Sequence, residues 1–247
     1  MFKKITIVLM IISFSLFAQI SKEVTNPKII NFIKKNHIQT VNYEEVKKAV
    51  LNNVEGKSDT IIIDSRNGSN YRESHIPTAV NFYESDKVKY DKNQKIIVYC
   101  RGYSCGSAAV FTKDLMKRGY KNVKTYLGGM PEWSKKFFKE AGRSDVYDGF
   151  QKHTALFIDV RNYNEFARGT VPAALSIPYK NMDKFKGMLP VDKNVMIILF
   201  GNNGKDKRAF MATWKLFDMG YKNARYYKEG IEGYKKDRMP IAVTFMM

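Results

Sequence analysis

The second half of this chain repeats the first. Asp64-Ser65-Arg66, preceded by the apolar run Ile61-Ile62-Ile63, returns 95 residues later as Asp159-Val160-Arg161 after Leu156-Phe157-Ile158. Pro77, in Ser74-His75-Ile76-Pro77-Thr78-Ala79, returns at the same offset as Pro172 in Gly169-Thr170-Val171-Pro172-Ala173-Ala174. Farther along the offset is 101: Gly119-Tyr120-Lys121-Asn122 matches Gly220-Tyr221-Lys222-Asn223, Gly129 matches Gly230, and Trp133 falls opposite Tyr234. An ordered series of this kind means two homologous domains, the second carrying six extra residues between Pro172 and Gly201. A chain of 247 residues accommodates two domains of ordinary size.

Within each repeat, short continuous apolar runs such as Ile61–Ile63 and Ile96–Tyr99 alternate with helical stretches. Runs apolar on both faces are what a buried parallel strand requires. Asn42 and Glu45 form a capping box, with Val41 and Val46 as its hydrophobic staple, so a helix should begin at Tyr43. Ala108, Phe111 and Leu115 recur at helical spacing before Gly119, as do Ala209, Ala212 and Leu216 before Gly220. The expected fold class is α/β: two domains, each a mostly parallel sheet flanked by helices. Ligands in such sheets bind beyond the carboxyl ends of the strands, and the segment after Tyr99 is one of those places.

That segment holds both cysteines of the chain, Cys100 and Cys105. Two cysteines in one loop cannot staple a fold, so the core must hold by packing. Cys100 ends a buried strand and opens the loop Arg101-Gly102-Tyr103-Ser104-Cys105-Gly106, with Ser107 placed to cap the next helix. A curved run of backbone N–H groups and a helix N-terminus both favour a thiolate, which is the nucleophile. Arg101 adds a fixed positive charge. The alternative for Cys100 is a small buried apolar residue.

The first eighteen residues stand apart. Lys3 and Lys4, the apolar run Ile5–Ile12, and the ending Leu16-Phe17-Ala18 have the form of a secretory signal with cleavage near Ala18. The rival, an uncleaved anchor, has a short apolar stretch for a bilayer core that takes about 20 residues. The net charge is +18, scattered as lysines through both halves. It reads as a solvated surface that also attracts small anions, not as a nucleic-acid site.

The residues together resemble the rhodanese domain. Ile-Ile-Val-Tyr-Cys-Arg-Gly around Cys100, the upstream Asp64-x-Arg66 and His75-Ile76-Pro77, and the downstream Leu127-Gly128-Gly129 and Trp133 carry the resemblance, which extends in two copies over nearly all of the chain after residue 38. It implies that Cys100 takes sulfane sulfur to form a persulfide, that the loop residues Arg101, Gly102, Tyr103, Ser104, Cys105 and Gly106 bind the substrate, and that Asp64 and Arg66 support the site structurally as a salt bridge. It implies no cofactor and no metal.

Four departures stand out. The loop is one residue longer than the commonest single-domain form, and Thr78 stands where the family usually has glycine. Gly201 occupies the position aligned with Cys100, so the second domain should be inert in sulfur transfer. Cys105 is the fourth departure: a bystander, a resolving thiol that closes a disulfide, or half of a soft-metal site. Phosphatases of this fold place an arginine at the position held here by Gly106, which disfavours phosphatase chemistry. His37 and His153 offer no convincing general base, and His75 belongs to a structural turn.

The expected organisation is a signal at 1–18, a linker at 19–38, an active rhodanese-like domain at 39–141 and a cysteine-free one at 142–247. The expected function is an exported, periplasmic sulfurtransferase. Its donor is a small sulfur-containing anion such as thiosulfate or polysulfide, and its acceptor a thiol, cyanide or a protein. Membrane contact is expected only through an uncleaved signal segment. The alternatives are a sulfur carrier that docks to a respiratory sulfur enzyme, and a thiol redox protein using Cys100 and Cys105.

Overall fold

The computed structural model describes residues 26–85 and 89–244. The signal expected over residues 1–18 lies outside the described residues. By contacts the described residues divide into two units: residues 26–52, 58–66, 80–85 and 89–132, and residues 53–57, 67–79 and 133–244.

The first unit is built on a five-stranded, all-parallel sheet in the order β1-β6-β5-β2-β4. Its strands are β1 (Gln39–Val41), β2 (Ile61–Asp64), β4 (Val80–Asn81), β5 (Lys95–Tyr99) and β6 (Asn122–Tyr126). β5 is the middle strand, and Ile96, Val98 and Tyr99 on it are at most 1 % exposed. Burying each such side chain stabilises the fold by roughly 1.5–3 kcal/mol. The helix Tyr43–Glu55 starts where the capping box requires: the Asn42 N–H donates to Glu45 Oε2 and the Glu45 N–H to Asn42 Oδ1, both at 3.0 Å.

Residues 26–35 do not form the expected linker. Asn26 caps a helix over Pro27–Lys35, accepting from the Lys28 N–H. Ile29 and Ile33, one turn apart, bury against Ala109 and Leu127 and make this helix part of the first unit.

The second unit has a six-stranded sheet in the order β3-β7-β11-β10-β8-β9. Its strands are β3 (Ser74–His75), β7 (Lys139–Ala141), β8 (Ala155–Asp159), β9 (Leu175–Ser176), β10 (Met196–Phe200) and β11 (Ala224–Tyr227). All neighbours run parallel except β3, which pairs antiparallel with β7. The six-residue excess falls where Tyr179–Met188 forms 3₁₀ turns, in place of the short helix Phe82–Ser85 of the first repeat.

Here the structure departs from the domain bounds read off the repeat. β7 belongs to the second sheet, so a boundary between Ala141 and Gly142 falls one strand too late. Residues 67–79 belong by sequence to the first repeat but group with the second unit. The backbone pairs Ser74 with Ala141 and His75 with Glu140, the Gly142 N–H donates to the Glu73 carbonyl at 2.9 Å, and His75 Nε2 lies 3.2 Å from Glu140 Oε1. Burial works against the charge on Glu140, but His75, with Lys228 and the Thr78 N–H, more than offsets it and holds the carboxyl below its ordinary value. His75 is thus a structural residue, stacked on Tyr71 with ring centroids 3.9 Å apart.

Candidate active site

Cys100 follows β5 directly and stands at the carboxyl end of the central strand of the first sheet. Residues 101–106 turn back from it, and the helix Ser107–Lys117 leaves from the far side. Glycines allow this tight return. Gly102 has φ +108, and Gly129, with φ +54, packs so closely that a Cβ on it would run into the Cys100 carbonyl oxygen and lie 2.6 Å from the Gly102 nitrogen. The Met130 N–H then donates to the Cys100 carbonyl at 3.1 Å. The Tyr103 and Tyr126 hydroxyls donate to Glu132 Oε2 at 3.2 and 3.0 Å and anchor the loop.

Cys100 and Cys105 are joined by a disulfide, their Cα atoms 6.3 Å apart. Cys100 is 3 % exposed and belongs to the apolar core, whereas Cys105 is half-buried. Ser107 completes the group: its hydroxyl lies 2.8 Å from Cys100 Sγ and 3.1 Å from Cys105 Sγ. Sequence reasoning gave Ser107 the role of helix cap. The cap position is held by Gly106, with no side-chain bond, and Ser107 is the first helical residue with its hydroxyl turned to the sulfurs.

The N–H groups of Gly102, Ser104, Gly106 and Ser107 find no acceptor among the described residues. Such a run of open donors beside a helix N-terminus suits a negative charge. Arg101 and Ser104 are exposed, Gly102 is buried, and Gly106 is half-buried. Of the loop residues singled out from the sequence, Cys105 lies against Cys100, whereas the Tyr103 hydroxyl is turned to Glu132. No group of three or more metal-ligating side chains exists among the described residues. Beside Ser107 opens an apolar cleft of about 560 Å³, lined by Ser65, Phe82, Val110 and Phe111.

Asp64 and Arg66 form a buried ion pair at 2.6 Å, and the Tyr99 hydroxyl donates to Asp64 Oδ2 at 2.8 Å. Ser65 lies between them in sequence. Its hydroxyl donates to the Tyr99 carbonyl at 2.8 Å and stands 3.4 Å from Ser107 Oγ. The pair thus fixes the turn after β2 against the end of β5 without touching the sulfurs. Ser65 drew no attention in the sequence, because a serine between two charged residues carries no spacing signal.

The same place in the second unit is closed. Gly201 follows β10, and a Cβ on it would lie 2.6 Å from Asp206 Cγ. Asp206 Oδ2 accepts from the Asn202 N–H at 2.8 Å, and Arg208 Nη2 bonds the same oxygen at 2.8 Å. Arg208 also pairs with Glu165 at 3.0 Å. The Arg208 hydrogen bond is the chief cause that holds the Glu165 carboxyl down to about 2. Asp159 and Arg161 repeat the buried pair at 2.6 Å.

A rhodanese-like domain family model matches residues 46–136 and again 143–237. A thiosulfate sulfurtransferase GlpE of Coxiella burnetii is 33% identical over 82 residues, covering 31% of this chain and 74% of its own length. A tRNA uridine(34) hydroxylase of Buchnera aphidicola is 30% identical over 112 residues, 41% of this chain but only 34% of its own. Among solved structures, a thiosulfate sulfurtransferase from Pseudomonas aeruginosa aligns with 85% of this chain and 44% of its own at 17% identity, with a TM-score of 0.38.

Proposed function

Since the chain belongs to the rhodanese-like family of sulfurtransferases, twice over, we propose that its first unit moves sulfane sulfur from a small anionic donor to a nucleophilic acceptor through a persulfide on Cys100. In the reduced form the Cys100 thiolate attacks the outer sulfur of a donor such as thiosulfate. The sulfur–sulfur bond of the donor breaks, sulfite leaves with the electron pair, and Cys100 holds one added sulfur. A thiolate or cyanide acceptor then attacks that outer sulfur and frees the thiolate.

The observation that carries this reading is the seat of Cys100: the end of the central parallel strand, with Ser107 Oγ at 2.8 Å and open backbone donors in the loop that follows. These groups favour the thiolate and the anionic persulfide alike. Arg101 suits an anionic donor. The second unit, lacking a thiol at Gly201, takes no sulfur and serves as a docking surface.

The test is mass spectrometry of reduced protein after exposure to thiosulfate, mercaptopyruvate or polysulfide. One sulfur gained at Cys100 and released to cyanide as thiocyanate is the expected result. Equal turnover by Cys100→Ser ends the proposal.

The Cys100–Cys105 disulfide favours a second reading, a thiol redox protein. It requires the pair to cycle at a physiological potential and the response to vanish in Cys105→Ser. Export, with cleavage near Ala18, is proposed on the sequence of residues 1–18 and is checked by N-terminal sequencing of the mature chain.

A further inference from the structure

The bonded cysteines point to a second half-reaction. We propose that Cys105 resolves the persulfide on Cys100 and expels hydrosulfide, so that the first unit reduces sulfane sulfur as well as passing it on. The inference rests on the Cys100 persulfide proposed above and concerns what becomes of it when no external acceptor arrives.

Cys105 is placed for this by the loop, not merely by the bond it makes. Position 105 corresponds to 206 in the second repeat, at the same offset of 101 that aligns Cys100 with Gly201. No disulfide exists there, yet the Asp206 side chain also turns inward, its Cγ 2.6 Å from where a Cβ on Gly201 would lie. In both units the residue five positions beyond the one that follows the central strand therefore projects back onto it. A reduced Cys105 keeps that direction, and the Cα separation of 6.3 Å lies within the span of a disulfide.

The step balances without an outside oxidant. The Cys105 thiolate attacks the inner sulfur of the persulfide, Cys100 Sγ. A bond forms between the two Sγ atoms, the bond from Cys100 Sγ to the outer sulfur breaks, and the outer sulfur leaves as hydrosulfide. The two cysteines are oxidised to the disulfide and the sulfane sulfur is reduced. Thiosulfate and two thiols thereby become sulfite, hydrogen sulfide and one disulfide. A dithiol reductant returns the enzyme to its starting state and is itself oxidised to a disulfide. The Ser107 hydroxyl, within 3.1 Å of both sulfurs, carries a single proton and donates it to whichever sulfur bears the charge.

The experiment uses the full chain, reduced and then freed of reductant, because an external dithiol strips a persulfide by itself. Mixed with thiosulfate, or with mercaptopyruvate as a second donor, wild type should release one hydrosulfide per chain in a burst and finish as the Cys100–Cys105 disulfide. Cys105→Ser should instead accumulate one added sulfur on Cys100, with its hydrosulfide burst reduced about tenfold or more. Cyanide should then draw that sulfur off as thiocyanate. A wild-type chain that retains the persulfide, or a Cys105→Ser chain that releases hydrosulfide at the wild-type rate, overturns the inference. If neither chain takes sulfur from either donor, the Cys100 persulfide itself fails, and this step fails with it.

Discussion

The loops at residues 100–107 and 201–208 are copies of one design with opposite contents. Each follows the central apolar strand of its repeat, and each is crossed by a glycine, Gly129 or Gly230, whose missing side chain lets the backbone approach. In each, the residue after that glycine donates its N–H back to the strand-end carbonyl: Met130 to Cys100 at 3.1 Å, Ile231 to Gly201 at 3.0 Å. The frame is the same; the filling differs. Around Cys100 the loop carries a cysteine, a serine and open N–H donors. Around Gly201 the corresponding positions are Asp206 and Arg208, and the carboxylate accepts the Asn202 N–H. The second loop has more than a missing thiol. It holds an internal anion, the Asp206 carboxylate, with its own countercharge on Arg208.

The largest expected effect separates these two losses. If a missing sulfur were the whole difference, moving the thiol would move the activity. Cys100→Ser should abolish sulfur uptake, and adding Gly201→Cys to it should restore none, because the new Cβ meets the Asp206 carboxylate. The readout is mass gain after thiosulfate and thiocyanate release with cyanide. A sulfur atom found on residue 201 would mean that Asp206 yields easily and that the two loops differ in one residue only.

A smaller effect, in stability, is expected from the plug itself. Asp206→Ala strands the Asn202 N–H and removes one of the two carboxylates paired with Arg208. The cost should be about 1–3 kcal/mol, read as a lower urea midpoint. In the reduced protein, Cys105→Ser at the matching position should shift the midpoint by about 0.5 kcal/mol or less. Acid makes a similar cut. Glu165 sits near 2 when folded, chiefly through its hydrogen bond to Arg208, against 4.5 as its ordinary value. A depressed folded value means that its contribution is complete above about pH 4.5 and is lost as pH falls toward 2. Glu165→Gln should flatten the fall of the melting temperature across that window, and an unchanged slope would show that Arg208 does not hold the carboxylate.

How much of this was legible before any coordinates follows from the range of the interactions. The capping box of Asn42 and Glu45, the apolar strands and the paired positions of Pro77 and Pro172 are local or periodic, and the repeat doubled the signal of each. Cys100 was visible because a strand end and a glycine-containing loop are both local patterns. The pairing of Cys105 stayed one of three readings, since spacing alone does not say which way a side chain turns. Ser107 was misread for the same reason: its position fits a cap, and only the fold shows its hydroxyl facing two sulfurs. The cluster of Glu165, Asn202, Asp206 and Arg208 joins two segments separated by about forty residues, beyond any periodic signal. The transfer of residues 67–79 to the second unit was hidden by the repeat itself, which assigned them to the first.

The smallest expected effect lies at the turn both repeats share. Thr78 and Ala173 stand at equivalent positions and both adopt the left-handed region, with φ of 70 and 61. An L residue pays about 1–2 kcal/mol there, and glycine adopts the same conformation without that cost. Ala173 is exposed, so Ala173→Gly removes strain and little packing. Against it stands the greater freedom glycine gives the unfolded chain, which leaves a net gain of about 0.5–1 kcal/mol. Thr78→Gly should gain less, although threonine is the more strained of the two, because its hydroxyl accepts a hydrogen bond from Asn53 Nδ2 at 3.2 Å that glycine cannot replace. Urea midpoints of the two variants measure the difference directly. A larger gain at Thr78 than at Ala173 would mean that the Asn53 bond contributes nothing and that backbone strain alone distinguishes the two turns.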